Sequence, residues 1–201
     1  SIRKHVLEYD DVMNQQREVI YGQRHKILSG ESMKENIFDM VEQIIDEGME
    51  KYTNEKVYPE DWQTEEMEEY CKEYFLPANR LTPSMMEKLS FIELREELLK
   101  IANDLYTEKE QAFGEVNMRE LEKIVMLKVV DSKWMEHLDN MDIMREGIGL
   151  RAYGQRDPLV EYKIEAFDMF QGMIQRIQHE VVRFMFRVTI AEPAEEGEQQ
   201  A

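Results

Sequence analysis

The chain has 201 residues, with 25 Lys and Arg against 43 Asp and Glu and a formal net charge of −18. Apolar residues make up 42% and charged ones 34%, enough for a packed core, which argues against wholesale disorder and fits one domain or two small ones. Phosphates repel so acidic a chain, which argues against a general nucleic-acid or anionic-membrane binder.

The acid is unevenly spread. Residues 1–30 carry 5 basic and 4 acidic groups, residues 31–110 carry 9 and 22, and residues 111–190 carry 11 and 13. The surplus sits in a central block, which suggests a separate subdomain. A single cysteine, Cys71, excludes an intrachain disulfide and a CxxC metal cluster and fits a reducing compartment. No run of about 18 apolar residues is present to span a membrane. The start, Ser1 to His5, has no signal-peptide core and enters helical periodicity at once, as though cut from a longer chain.

Ile2, Val6, Tyr9, Met13, Gln16, Ile20, Gln23 and Ile27 recur at spacings of four and three, the seam of one helix packed lengthwise on others. Gln16 and Gln23 interrupt that seam, and Ser29-Gly30 ends it. Ser32-Met33-Lys34-Glu35 reads as a capping box opening a helix with the stripe Ile37, Val41, Ile44, Ile45, Gly48 and Tyr52. Pro59, Pro77 and Pro83 break the next stretch, around a short amphipathic helix marked by Met67, Tyr70, Cys71 and Tyr74. Ser90-Phe91-Ile92-Glu93 is a second capping box, starting a helix with Leu94, Leu98, Ile101 and Leu105 that ends near Gly114.

From Val116 to Ile148 apolar residues fall at Leu127, Val130, Trp134, Leu138, Met141, Met144 and Ile148, a helix roughly 50 Å long. Asp157-Pro158 is a helix start, and Tyr162, Ala166, Phe170, Met173, Ile177, Val181, Phe184 and Val188 continue its seam. Two long helices joined by a loop of about ten residues, Gly149 to Pro158, make an antiparallel hairpin. No strand alternation occurs, so the predicted fold is all-α, with residues 191–201 a disordered acidic linker.

Catalytic signatures are missing. There is no Gly-Lys dipeptide for a P-loop, no HExxH, and no Glu-x-x-His pair for a dimetal bundle. Gly147-Ile148-Gly149-Leu150-Arg151-Ala152 matches GxGxxA but follows a helix rather than a strand, where the pattern has no nucleotide-binding meaning. Asp10 and Asp11 are helix neighbours about 100° apart and do not converge on one metal. They read as solvated or salt-bridged acids beside a packed Tyr9. His5, His25, His137 and His179 are scattered and read as surface or satisfied core groups. The fifteen methionines are either adaptable core filler or a forgiving apolar surface for varied peptides.

The hairpin tip combines Leu150, Arg151, Tyr153, Gln155 and Arg156 with Gly149 and Gly154. It reads either as a plain connector or as a contact loop, since Leu150 and Tyr153 stand where solvent is expected.

Arg3-Lys4-His5-Val6-Leu7-Glu8-Tyr9-Asp10-Asp11-Val12-Met13-Asn14-Gln15-Gln16-Arg17, continuing to Ile20-Tyr21, resembles the long scaffold helix of the SecA family, ATP-driven motors of bacterial preprotein translocation. Trp134-Met135-Glu136-His137-Leu138, Met141-Asp142 and Arg145-Glu146-Gly147-Ile148 resemble it too. So do Leu150-Arg151, Tyr153, the run Gln155-Arg156-Asp157-Pro158-Leu159-Val160-Glu161-Tyr162-Lys163 and Glu165-Ala166-Phe167. The resemblance covers about residues 2–190. It implies a helical scaffold over 1–30, an inserted helical wing over 31–113 and a two-helix finger over 114–190. It further implies that Tyr153, with Leu150, Arg151, Gln155 and Arg156 around it, contacts the translocating polypeptide. The implied partners are the SecYEG channel, unfolded preprotein and the family's own motor domains, at the cytoplasmic face of the bacterial membrane. The ATP and Mg sites of the motor domains and the family's C-terminal zinc module fall outside this sequence, so the segment is expected to hold no cofactor and no active site. Two other readings are a stand-alone acidic helical adaptor for a basic partner and, with ligand spacing missing, a metal-dependent bundle enzyme.

Overall fold

The computed structural model describes residues 2–151 and 157–189, with only the backbone of Ile2, His5 and Arg151. Among these residues there are seven α-helices and one 3-10 turn, and no strand. The helices are α1 (Ile2–Leu28), α2 (Lys34–Tyr52), α3 (Thr64–Tyr74), α4 (Pro83–Met86), α5 (Phe91–Phe113), α6 (Glu115–Arg151) and α7 (Pro158–Arg187). The acidic linker predicted over 191–201 lies outside the described residues.

Two helix starts follow from local chemistry. Ser90 Oγ accepts from Glu93 N while Glu93 Oε1 accepts from Ser90 N, so the predicted capping box is complete. Asp157 accepts from Leu159 N, and Pro158 occupies the first turn of α7, where no amide partner is needed. Gly30 and Gly114 take positive φ, 87° and 90°, where the chain leaves α1 and α5.

The first capping box does not form. Helix α2 begins at Lys34 with Met33 at its cap position, and no side chain caps it. The Met33 side chain is buried in the core and holds that position, so Ser32 lies one residue too early and reaches only Lys34 N, at 3.4 Å. The α1 seam also narrows: Val6 and Gln23 are exposed, and Tyr9, Met13, Gln16, Ile20 and Ile27 make the packed face. On α7 the seam steps from Val181 to Met185, leaving Phe184 exposed, because the end of this helix turns towards α5 as well as α6.

Three apolar clusters order the molecule. Helices α2 to α5 enclose the first, with Ile44, Ile45, Met67, Met86, Leu94 and Leu98 buried and Val182 of α7 closing one side. At Gly48 the backbone of α2 lies against the Tyr70 ring, whose hydroxyl donates to Ile44 O at 2.7 Å. The second cluster joins α1, α6 and α7 to the start of α2 and the end of α5, through Ile20, Tyr106, Val130, Trp134, Ile177 and Met185. The third is smaller and lies towards the free end of the hairpin, where Met141, Met144 and Ile148 of α6 meet Tyr162 and Ala166 of α7 beneath Tyr9 and Met13 of α1.

Candidate functional site

The site the sequence points to is the free end of the α6–α7 hairpin. Helix α6 has 37 residues, which at ~1.5 Å each make a rod of roughly 55 Å. It continues through Gly149, Leu150 and Arg151, so the connection is shorter than the ten residues predicted. No side chain crowds the Gly149 backbone, and nothing there forces a break in the helix. Gly147 to Arg151 of the GxGxxA match accordingly lie in this helix and follow no strand, and Ala152 falls outside the described residues. Leu150 stands on the last turn with 77% of its surface exposed. Tyr153, Gln155, Arg156 and the Arg151 side chain lie outside what is described.

Helix α1 braces this end. Tyr9 meets Tyr162 edge to face at 4.7 Å, and the Arg145 guanidinium sits 5.0 Å from the Tyr9 ring centre. Arg145 Nη1 also pairs with Asp10 Oδ1 at 3.2 Å, so one arginine ties α6 to two neighbouring residues of α1. The expected salt-bridged acid beside a packed tyrosine is what is found. Burial raises the Tyr162 hydroxyl above its ordinary range, which keeps it neutral.

Two turns further along α1, Gln16 is buried against His137 of α6 and the Ala166 carbonyl of α7. Its Nε2 donates to Ala166 O at 3.0 Å, which leaves Oε1 to accept from His137 Nε2–H at 2.7 Å. His137 lies between Trp134 and Phe170, and burial, with Arg176 nearby, pushes it down to about 4. His137 is therefore a neutral, satisfied core group.

The base of the hairpin is held by a second polar set. Glu122 of α6 is fully buried; Tyr106 of α5 donates to it at 2.5 Å and Arg119 Nε pairs with it at 2.7 Å. Arg119 also pairs with Glu110, which Lys34 of α2 meets at 2.9 Å. Burial raises the Glu122 carboxyl, and Tyr106 and Arg119 offset this only partly. Glu110 is buried less completely, and Lys34 and Arg119 hold it below the usual carboxylate range against that burial. Lys109 donates to Met185 O and Phe186 O at 2.9 and 2.8 Å, covering carbonyls at the negative end of α7. His179 of α7 joins Tyr74 of α3 and Glu47 of α2, each at 2.8 Å.

These interhelical contacts pair residues up to 150 positions apart, and little in the sequence announces them. The polar break at Gln16 was the one local signal. Tyr106, Glu110, Glu122 and Lys109 gave none beyond their helical positions. Among the described residues no three His, Cys, Asp or Glu side chains are grouped as metal ligands, and no helix is long and apolar enough to cross a membrane. Cys71 is buried in the α2–α5 core, and burial pushes its thiol up to about 12.

Comparison with known proteins places this architecture. Residues 1–189 match the family model described as the SecA wing and scaffold domain. A protein translocase subunit SecA from Pelotomaculum thermopropionicum is 50% identical over 196 residues, covering 98% of this chain and 22% of that protein. One from Desulforamulus reducens is 48% identical over 200 residues, covering 100% of this chain and 23% of its own length. A protein translocase subunit SecA 1 from Clostridioides difficile is 45% identical over 195 residues, 97% of this chain and 21% of that protein. The chain thus spans about a fifth of the curated relatives it matches. A long hairpin braced by one lengthwise helix, beside a smaller helical core, and matched end to end by these relatives, belongs to the SecA wing and scaffold family.

Proposed function

We propose that this chain is the scaffold and wing part of a protein translocase motor, whose two-helix finger carries its tip against a translocating polypeptide at the SecYEG channel. Residues 1–30 and 114–190 form the scaffold and finger, 31–113 the wing, and 191–201 a linker. The observation that supports this best is the shape of α6 and α7 in a chain of this family. The last described turn of α6 carries an exposed Leu150, and α1 packs against both helices of the hairpin. A stiff rod transmits displacement from its base to its tip, and an exposed leucine there offers apolar area with little demand on sequence.

In this reading Tyr153 is the principal polypeptide contact, with Leu150, Arg151, Gln155 and Arg156 around it. The segment has no catalytic residue, and ATP, Mg and zinc belong to parts of the parent outside it. It acts at the cytoplasmic face of the membrane, held there through the channel, and influences ATP hydrolysis in the motor domains through the scaffold. In the intact parent, Tyr153→Ala is expected to lower preprotein transport about tenfold, equivalent to roughly 1.4 kcal/mol, with nucleotide affinity unchanged. Transport assays into membrane vesicles, alongside nucleotide-binding titrations, check this; unchanged transport would remove the tip from the mechanism.

A further inference from the structure

The seam between α1 and the α6–α7 hairpin includes several side chains that tolerate sliding. Met13, Met141, Met144, Met169 and Met173 lie in its two apolar clusters, and flexible thioethers adapt to alternative packings with little penalty. Among the described residues, two polar side chains, Gln16 and His137, are buried between these three helices. Both ends of the Gln16 carboxamide are used, one on each helix of the hairpin. Ala166 makes this reach possible, because its methyl group lets α1 approach the α7 main chain closely enough for Gln16 to find a carbonyl.

The geometry excludes neighbouring registers. Moving α1 by one residue shifts Gln16 by about 1.5 Å along the axis and turns it by about 100°. Both hydrogen bonds then break, leaving a buried amide and a buried imidazole N–H unpaired, whereas the methionines simply repack. A lone buried polar residue sets register in coiled coils in the same way. We propose that Gln16 and His137 form a register pin, a pair of positioning residues that makes α1 and the hairpin move as one rigid body. Any displacement of the hairpin tip then requires displacement of α1. The pin concerns how these three helices move and holds whatever the tip touches.

Spin-label distances in the 201-residue chain test it. Cys71 is buried and its thiol resists ionisation, so cysteines introduced at the exposed positions Gln23→Cys on α1 and Met135→Cys on α6 take the labels selectively. Gln16→Met keeps the length and volume of the side chain and removes both hydrogen bonds. The expected result is a single narrow distance with Gln16 present. With Gln16→Met the distribution is expected to become at least twice as wide, or to gain a second peak, with helix content retained. Met13→Leu, in the same seam but outside the hydrogen bonds, is expected to leave the distribution narrow. An unchanged distribution in Gln16→Met overturns the proposal. Nitrogen-15 spectra of the unsubstituted chain provide a check that no variant has to survive: the pin needs the His137 proton on Nε2, and a proton on Nδ1 alone overturns it.

Discussion

Glu122→Ala is expected to destabilise the chain by about 3–5 kcal/mol, the range found when one partner of a buried polar or ionic contact is removed. The size follows from what is left behind. Tyr106 is fully buried, and its hydroxyl has Glu122 as its acceptor at 2.5 Å; without the carboxylate it is a desolvated donor with nothing to meet. Arg119 loses one of its two carboxylates and keeps Glu110. Glu122→Gln should behave differently, costing about 1 kcal/mol, because the amide oxygen still accepts from Tyr106 and no buried charge has to be sustained. Urea unfolding at neutral pH measures both, with the midpoint shifting and the slope unchanged. A Glu122→Ala unfolding free energy within about 1 kcal/mol of that of the unsubstituted chain would show that this network does not hold the α5–α6 junction.

Acid is expected to weaken the chain through His137. Its folded value lies near 4, below the ordinary 6.5, so between those values the unfolded chain binds a proton that the folded one refuses. Stability therefore rises with pH across this window and falls as pH is lowered from 6.5 towards 4. Two and a half pH units correspond to about 3 kcal/mol. Carboxylates titrate in the same region, so the measurement is a difference: stability against pH for the unsubstituted chain minus that for His137→Gln. The difference should slope upward with pH across the window and be flat above it. A flat difference throughout would place His137 in contact with water.

The two predictions share a physical basis. Both concern polar groups taken out of water between long helices, where a satisfied pair gives little net stability and a broken one is expensive. That asymmetry lets a few contacts fix the relative positions of α1, α5, α6 and α7 in a core otherwise supplied by adaptable apolar side chains.

Much of the fold was legible because helices are written locally. The starts at Ser90 and Asp157 depend on residues within three positions of each other, and the seams of α2, α3 and α5 follow a period that needs no knowledge of the partner. Where the reading failed, tertiary packing decided. Ser32 and Glu35 have the spacing of a capping box, yet burial of Met33 sets where α2 begins. Gln16 and Gln23 look alike in sequence and lie two turns apart on the same seam, but their fates differ. Gln16 faces both His137 and a helix carbonyl and is buried, whereas Gln23 is exposed. Phe184 fits the four-three rhythm but gives way to Met185, because α7 must also meet α5 through Phe186 and Tyr106.

The candidate site divides in the same way. Leu150 was identified by being apolar at a hairpin end, and it is exposed there. The brace behind it, Arg145 on Tyr9 and Asp10, joins residues 135 positions apart, and no local pattern encodes that pairing. Whole-chain charge was the least informative feature. The acid belongs mainly to residues 31–110, whereas the segment of α1 and the hairpin are nearly neutral.

The most direct test of the account is site-specific photo-cross-linking in the intact translocase with a preprotein arrested midway. A photoreactive residue at position 153 should form adducts with the arrested polypeptide, and one at position 135, exposed on the middle of α6, should form few or none. Equal labelling from both positions, or labelling from 135 alone, would contradict the assignment of the hairpin tip as the working end.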